Sequence, residues 1–141
     1  MKKKSLVCLV AVVVLLLCCG MFLRFGSPRI KIVGTSAVFS KTQIKDAMDI
    51  VEMQLSENSA VSSIIDIRFN EAKSGKRLDG WRSGQQIGVT QENSIVVFAD
   101  FFTSKDSGAF NPNDLYTGFG FTLQMQKDGH WNMVEGGAGY P

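Results

Sequence analysis

The stretch VFSKTQIKDAMDIVEMQLSEN, residues 38–58, carries the clearest helix signal in this 141-residue chain. Ser40 and Gln43 have the spacing of a capping box, and Phe39 in front of the cap can pack against Ile44 as a hydrophobic staple. Apolar residues then recur every three or four positions, so they share one face of the helix. Such a helix covers a hydrophobic core, and we expect it to present no functional site. Its apolar stripe comprises Ile44, Ala47, Met48, Val51 and Leu55.

Strands are predicted on both sides of this helix. IKIVG, which begins at Ile30, alternates between apolar and other residues and predicts a first strand. SSIIDIRFNEA, which begins at Ser62, has period two and places Ile65, Ile67 and Phe69 on one face, as in a half-buried strand.

The next two segments predict a crossing and a central strand. The polar sequence KSGKRLDGWRSGQQ, residues 73–86, predicts a short helix or an irregular crossing with Leu78 and Trp81 as its anchors. SIVVFADFFT, residues 94–103, is apolar on both faces, which is typical of a strand in the middle of a sheet.

The chain is predicted to close with a hairpin at Asp128-Gly129. A two-residue turn sets Leu123 against Val134, whereas a three-residue loop with a left-handed Gly129 sets Leu123 against Met133. We prefer the second register because it gathers the apolar side chains on one face. That face comprises Phe119, Phe121, Leu123, Met125, Trp131 and Met133.

The order of these elements predicts an α+β fold. We expect an antiparallel sheet of about five strands packed on one long helix. This arrangement resembles the cystatin-like roll and the nuclear-transport-factor-like class, in which a curved sheet wraps a helix and leaves a pocket at one end. The likeness concerns the fold and says little about function.

Residues 1–25 are predicted to be a membrane-directed segment in front of one α+β domain at residues 26–141. MKKK supplies a positive start, and residues 6–23 contain no charged residue, enough for about 27 Å of helix. We favour an uncleaved, single-pass anchor with residues 5–23 in the membrane; the alternatives are a cleaved signal peptide of a secreted protein or a lipoprotein signal at LLLCCG. The positive start favours a cytoplasmic N-terminus and therefore a domain that faces the outside of the cell membrane.

Charge and cysteine use exclude several function classes. The chain has 15 basic and 13 acidic residues, and Lys2, Lys3, Lys4 and Arg24 flank the apolar run, so the domain itself is slightly acidic. This balance gives no basic footprint for nucleic acid. All 3 cysteines lie inside the apolar run, so the domain has no internal disulfide and no thiolate metal site.

Few residues are candidates for catalysis. Asp100 interrupts the central strand, and a partly buried carboxylate there needs a partner or a raised pKa. We favour a structural role for Asp100; as a catalytic acid or base it would be assisted by Tyr116 or by His130, the only histidine. We expect His130 to be a solvated residue at the hairpin tip. No nucleophile stands at a recognisable spacing from a base, so no catalytic residue is assigned.

The loop TSKDSGAFNPND, residues 103–114, concentrates oxygen-bearing side chains. Asp106, Asn111, Asn113 and Asp114 are our candidate binding residues. Their spacing does not follow an EF-hand loop, and the same residue types dominate ordinary turns. We therefore predict neither a metal nor a cofactor here.

Several segments together resemble a family of small extracytoplasmic proteins of Gram-positive bacteria. They are FSKTQIKDAMDIVE, IRFNEAKS, IVVFADFFTSKDSGAFNPN and YTGFGFTLQMQKDGHW, followed by a terminal GAGY, and they cover most of the domain. In that family tryptophans usually stand where this chain has Phe119 and a neighbour, so a partner surface on the hairpin is expected to differ. The family has no assigned activity. The resemblance therefore implies a signal or anchor segment and an extracytoplasmic location, but no catalytic residue.

The leading functional hypothesis is a membrane-tethered, extracytoplasmic, non-catalytic module. It would bind a protein, or an envelope component, through the rim of the sheet and the loop DSGAFNPND, residues 106–114. A competing hypothesis is a small hydrolase or isomerase that uses Asp100 in a pocket. A third is a lipid or small-ligand carrier with an open apolar cavity beside Trp81 and Phe102.

Overall fold

The computed structural model describes residues 30–82 and 88–136 of the chain. Over these residues the predicted fold class is confirmed: the chain is α+β, with a sheet of five strands and two helices. The strands follow one another across the sheet in chain order. The elements are β1 (Ile30–Ile32), α1 (Lys41–Glu57), β2 (Val61–Phe69), α2 (Glu71–Arg82), β3 (Ser94–Thr103), β4 (Leu115–Met125) and β5 (Trp131–Gly136).

The sheet is mixed rather than antiparallel. β1 pairs with β2 in parallel, with Ile30 beside Asp66 and Ile32 beside Arg68. The β2–β3, β3–β4 and β4–β5 pairs are antiparallel. The prediction of an antiparallel sheet is therefore wrong for the first strand. The reason is the connection: α1 lies between β1 and β2 in the chain and carries it back along the sheet, so both strands run in the same direction.

The helix α1 forms as its sequence predicts. The Ser40 hydroxyl accepts a hydrogen bond from the Gln43 amide (3.2 Å), and the Gln43 side chain accepts one from the Ser40 amide (2.9 Å), which completes the capping box. Phe39 and all five predicted stripe residues are buried in one cluster against the sheet. The indole nitrogen of Trp131 donates to the Gln43 carbonyl (2.8 Å), which ties the start of α1 to β5 at the edge of the sheet.

β3 lies in the middle of the sheet and is buried on both faces, as predicted. Its odd-numbered residues from Ile95 to Phe101 pack in the cluster that contains α1, and we call this side of the sheet the inner face. Val96 points to the opposite side, the outer face, where it packs with Leu78 of α2. The predicted short helix is thus confirmed. The predicted architecture placed only one helix against the sheet, however, and α2 covers part of the second face as well. The side chain of Trp81, its other predicted anchor, lies outside the described part of the structure.

β2 departs from its predicted alternation at one residue. Ile64 is buried, whereas Ile65 is 38% exposed. The pairing with β3 shifts between Ile64 and Asp66, so a β-bulge inserts one extra residue at this point. Beyond the bulge, Ile67 and Phe69 are buried as predicted. The prediction for Ile65 is wrong because a period-two pattern does not reveal a bulge.

The closing hairpin has the preferred register. Leu123 pairs with Met133 and Met125 with Trp131. Gly129 has a φ of +85°, the left-handed conformation that the three-residue loop requires and that glycine adopts without steric cost. The apolar side chains of this hairpin consequently complete the inner-face core.

Within residues 30–82 and 88–136, no helix is both long enough and apolar enough to cross a membrane. The predicted anchor at residues 1–25, its alternatives and the domain boundary at residue 26 all lie outside the described residues.

Removing the cap of α1 should weaken the fold. We expect Ser40→Ala to lower the free energy of unfolding by about 1 kcal/mol, because the Gln43 amide loses its acceptor. Ser56→Ala is the matched control: the Ser56 hydroxyl donates to the Glu52 carbonyl on the exposed surface of the last turn, and its loss should change stability by less than about 0.5 kcal/mol. Urea unfolding followed by tryptophan fluorescence measures both, and equal losses would contradict the capping role.

Candidate functional site

An open pocket of about 530 Å³ lies on the outer face of the sheet, beside α2. β2, α2, β3 and β4 all contribute to it. Four of its lining side chains are cationic, and those of Lys73 and Lys76 are exposed, so the α2 side of the pocket is suited to an anion. The lining residues are Arg68, Lys73, Lys76, Arg77, Phe98, Thr117 and Gly118.

The contacts of α2 fix the position of its cations. Asn70 caps the helix, since its side chain accepts a hydrogen bond from the Lys73 amide (3.0 Å). The buried hydroxyl of Ser74 accepts one from the Val96 amide (2.8 Å), and Leu78 packs on the outer face one turn later. Residues three and four positions apart are neighbours on a helix surface, so the cations at positions 73, 76 and 77 lie on one side of α2. This side is next to the one that Ser74 and Leu78 turn toward the sheet. The cations therefore line the side of the pocket.

Arg68 holds two carboxylates on the outer face. It forms ion pairs with Asp66 on its own strand and with Asp100 on β3, the latter at 2.7 Å. The same oxygen of Asp100 accepts a hydrogen bond from the Gly118 amide (2.6 Å). The Asp100 side chain is 18% exposed, so the expectation of a partly buried acid with a partner is confirmed.

The amide that reaches Asp100 belongs to a β-bulge in β4. The pairing with β3 shifts between Ala99 and Phe101, so that Thr117 and Gly118 together oppose Asp100. Gly118 has a φ of +64°, a conformation that residues with a Cβ rarely adopt. The glycine thus permits the bend that aims its amide at the carboxylate.

The surroundings of Asp100 favour its ionised form. Burial by itself raises the pKa of this carboxyl, but hydrogen bonds from Arg68 and from the Gly118 amide, with the positive charges of Arg68 and Lys73, together lower the pKa below its ordinary value of 3.8. The hydrogen bond to Asp100 in turn raises the pKa of Arg68. A carboxylate whose pKa is lowered is a weak base, because it holds a proton poorly.

Tyr116 and His130 do not meet Asp100. Tyr116 lies on the inner face, with its ring stacked on Phe101 at 5.5 Å between centroids and its hydroxyl accepting a hydrogen bond from the Asn111 amide (2.9 Å). His130 is exposed at the hairpin tip, as expected. That tip lies roughly eight strand residues, or about 26 Å, along β4 from the level of Asp100. The three candidates for catalysis are therefore not brought into one site.

The four candidate binding residues of the loop lie outside the described pocket lining, and several of their polar groups bond within the loop. The Asn111 side chain donates to the Asp114 carboxylate (3.2 Å), and the Asp114 amide donates to the Thr103 hydroxyl (2.8 Å). Asn113 has a φ of +53°, a conformation that asparagine tolerates better than most residues. Asp106 is exposed. Asn111 and Asp114 are thus brought together, and their mutual hydrogen bond helps to shape the loop.

Exposed apolar side chains share the outer face with the pocket. Phe102 pairs with Leu115, and the two are 42% and 44% exposed. Ile30 and Ile32 stand beside Asp66 and Arg68 on β1 and are also exposed. Residues paired across a sheet point to the same face, so these side chains form one surface. The outer-face patch, as we call it, comprises Ile30, Ile32, Asp66, Arg68, Phe98, Asp100, Phe102 and Leu115.

Sequence reasoning does not single out this pocket. Its detectable signal is the spacing of Lys73, Lys76 and Arg77, which share one side if the segment is a regular helix. Arg68 and Phe98 become part of the same site only through the pairing of β2 with β3. That pairing joins segments distant in the chain, and the residue pattern does not state it.

No family model matches this chain, and comparisons with curated proteins and with solved structures give no match. The family resemblance of the sequence therefore stays a prediction, and the site is interpreted from its geometry.

The lowered pKa of Asp100 makes its contribution to stability depend on pH. Because the pKa is lower in the folded than in the unfolded chain, the ionised carboxylate stabilises the fold above about pH 4, and this stabilisation is lost as the pH falls through the folded-state pKa. We expect Asp100→Asn to be about 2 kcal/mol less stable than the wild type at neutral pH, and the difference to shrink in acid. Urea unfolding of the wild type and of the variant at neutral and at acidic pH measures the difference in stability. An NMR titration midpoint of the Asp100 carboxyl above 3.8 would contradict the lowered pKa.

Two glycines with open surroundings, Gly118 and Gly80, allow the cost of backbone strain to be measured without steric crowding by neighbouring atoms. A Cβ at Gly118 or at Gly80 would meet nothing within 4 Å, but only Gly118 of these two has a positive φ. We expect Gly118→Ala to destabilise the fold by about 1 kcal/mol and Gly80→Ala, inside α2, to stabilise it by up to about 1 kcal/mol. Thermal unfolding of both variants tests this, and a Gly118→Ala variant as stable as the wild type would refute the role given to the bulge.

Proposed function

We propose that this protein is a non-catalytic binding module that holds an anionic group of its ligand in the outer-face pocket. One observation carries the proposal: beside α2 lies an open pocket where Lys73 and Lys76 present exposed cationic side chains, whereas Arg68 of the same lining is already paired with Asp66 and Asp100. Cations around an open, partly apolar pocket are suited to hold an anion through charge-assisted hydrogen bonds. Lys73 and Lys76 are exposed, so a ligand can reach them.

Binding suits the site better than hydrolysis or isomerisation. Asp100 is already engaged by Arg68 and by a backbone amide, and its lowered pKa makes it a weak base. Tyr116 and His130 lie elsewhere in the fold. The carrier hypothesis needs an apolar cavity beside Trp81 and Phe102, but Phe102 lies on the exposed surface of the sheet and the side chain of Trp81 is outside the described part.

We infer that the module is tethered to the outer side of a bacterial cell membrane by residues 1–25, as a single-pass anchor. The support is the positive start followed by the apolar run at residues 6–23, together with the family resemblance. A secreted form or a lipoprotein is the alternative. We also propose that the domain is a cystatin-like or nuclear-transport-factor-like roll, which is supported by the packing of α1 across one face of the sheet.

The loop with Asp106, Asn111, Asn113 and Asp114 adds a second contact surface to the proposal. This loop joins the end of β3 to the start of β4, so it adjoins Phe102 and Leu115 at the apolar end of the outer-face patch. A ligand that covers the patch would therefore reach the loop.

Crosslinking in the native membrane tests the binding function. Full-length tagged protein is crosslinked, purified and compared by mass spectrometry with a tagged segment of residues 1–25. We expect a reproducible bound species that is lost from the Lys73→Glu/Lys76→Glu variant, because the charge of the pocket is reversed. It should be retained by Lys41→Glu/Lys45→Glu, which makes the same charge change on the exposed surface of α1.

Two other outcomes of this experiment would contradict part or all of the proposal. A species lost only from an Asn111→Ala/Asn113→Ala variant would move the site from the pocket to the loop. No species above the anchor-only control would contradict the binding function itself.

A further inference from the structure

The outer-face patch changes in chemistry from one end to the other. At the α2 end, Phe98 adjoins Lys73 and Lys76 in the lining of the pocket. Arg68 and its two carboxylates occupy the middle. At the far end, Phe102 and Leu115 expose apolar surface. A ligand that covers the whole patch must therefore be anionic at one end and apolar at the other.

The carboxylates in the middle argue against a polyanion. A chain with a negative charge at every unit, laid along the patch, would meet Asp66 and Asp100 directly after the lysines. A free small anion would fill only the pocket and leave Phe102 and Leu115 uncovered. A flat lipid surface would be held away from the sheet by α2, because a helix is about 10 Å across. An extended peptide avoids all three difficulties.

The dimensions of β3 set the spacing of the side chains that such a peptide needs. Phe98, at the cationic end, and Phe102, at the apolar end, are separated by four residues of strand, or about 13 Å. An extended peptide has the same rise, and its side chains four residues apart point to the same side. An acidic residue and a large apolar residue at that separation would reach the two ends together.

We propose that the ligand of the outer-face patch is an extended segment of a partner protein that carries one acidic residue and one large apolar residue. Its Asp or Glu side chain binds at Lys73 and Lys76, and an apolar side chain about four residues away covers Phe102 and Leu115. This proposal rests on the proposed binding function and names the class of its ligand. Charge complementarity and the exposed apolar end support it.

Photocrosslinking identifies the bound segment. In the full-length protein in its native membrane, p-benzoylphenylalanine replaces Thr117, which is exposed and lines the pocket. In a control protein it replaces Met53, which is 54% exposed on α1 and remote from the patch. We expect mass spectrometry to find a partner peptide attached at position 117 and absent at position 53. The peptide should contain an acidic residue and a large apolar residue about four positions apart.

Synthetic copies of the crosslinked segment then test the chemistry. Their affinity for the full-length protein in detergent is measured by calorimetry. Replacing the acidic residue by its amide, or introducing Lys73→Glu/Lys76→Glu, should weaken binding roughly tenfold, and Phe102→Ser should weaken it as well. Lys73→Gln/Lys76→Gln should give a smaller loss in the same direction. Lys41→Glu/Lys45→Glu should change the affinity less than about twofold.

Several results would overturn the acidic-segment proposal while leaving the binding function intact. They are a crosslink at position 117 to a lipid or a saccharide, a crosslinked peptide without Asp or Glu, and an amide copy that binds as tightly as the acidic one. Failure of every crosslink above the Met53 control would overturn the proposal together with the outer-face site.

Discussion

The burial of β3 on both faces is the constraint on which the rest of the structure depends. The inner face is covered by α1, and the outer face is covered in part by α2. α2 packs through Leu78 beside Val96 and Phe98, whereas Phe102 farther along β3 is 42% exposed. The second half of the outer face is therefore open. The cationic pocket lies at the boundary between the covered and the open parts, where the side of α2 meets Phe98.

A charged residue in so central a strand is tolerated because its neighbours supply partners. Asp100 forms an ion pair with Arg68 on one adjacent strand and accepts a hydrogen bond from the Gly118 amide on the other. The second contact exists because the β4 bulge bends the backbone there. The middle of the outer-face patch is therefore held in place before any ligand arrives, and preorganised polar groups lose less entropy on binding than mobile ones.

The local charge of this surface differs from the charge of the whole chain. With its N-terminal cations set aside, the chain is slightly acidic, which argues against a broad nucleic-acid interface. The side of the pocket that α2 forms is nevertheless cationic, since Lys73, Lys76 and Arg77 stand there. Net charge thus excluded one class of partner but gave no information about the sign of the binding surface, which depends on which charges the fold brings together.

The sequence by itself determined the features that arise from neighbouring residues: α1 with its cap and apolar stripe, the central character of β3, and the hairpin register set by Gly129. Capping, helical periodicity and turn chemistry act over a few positions, so the residue pattern contains them. Only the tertiary structure decided that β1 runs parallel, that Ile65 is exposed, and that Arg68, the cations of α2 and Phe98 meet in one pocket. These features depend on strand pairing and on bulges between segments far apart in the chain, and the pattern within each segment does not specify them.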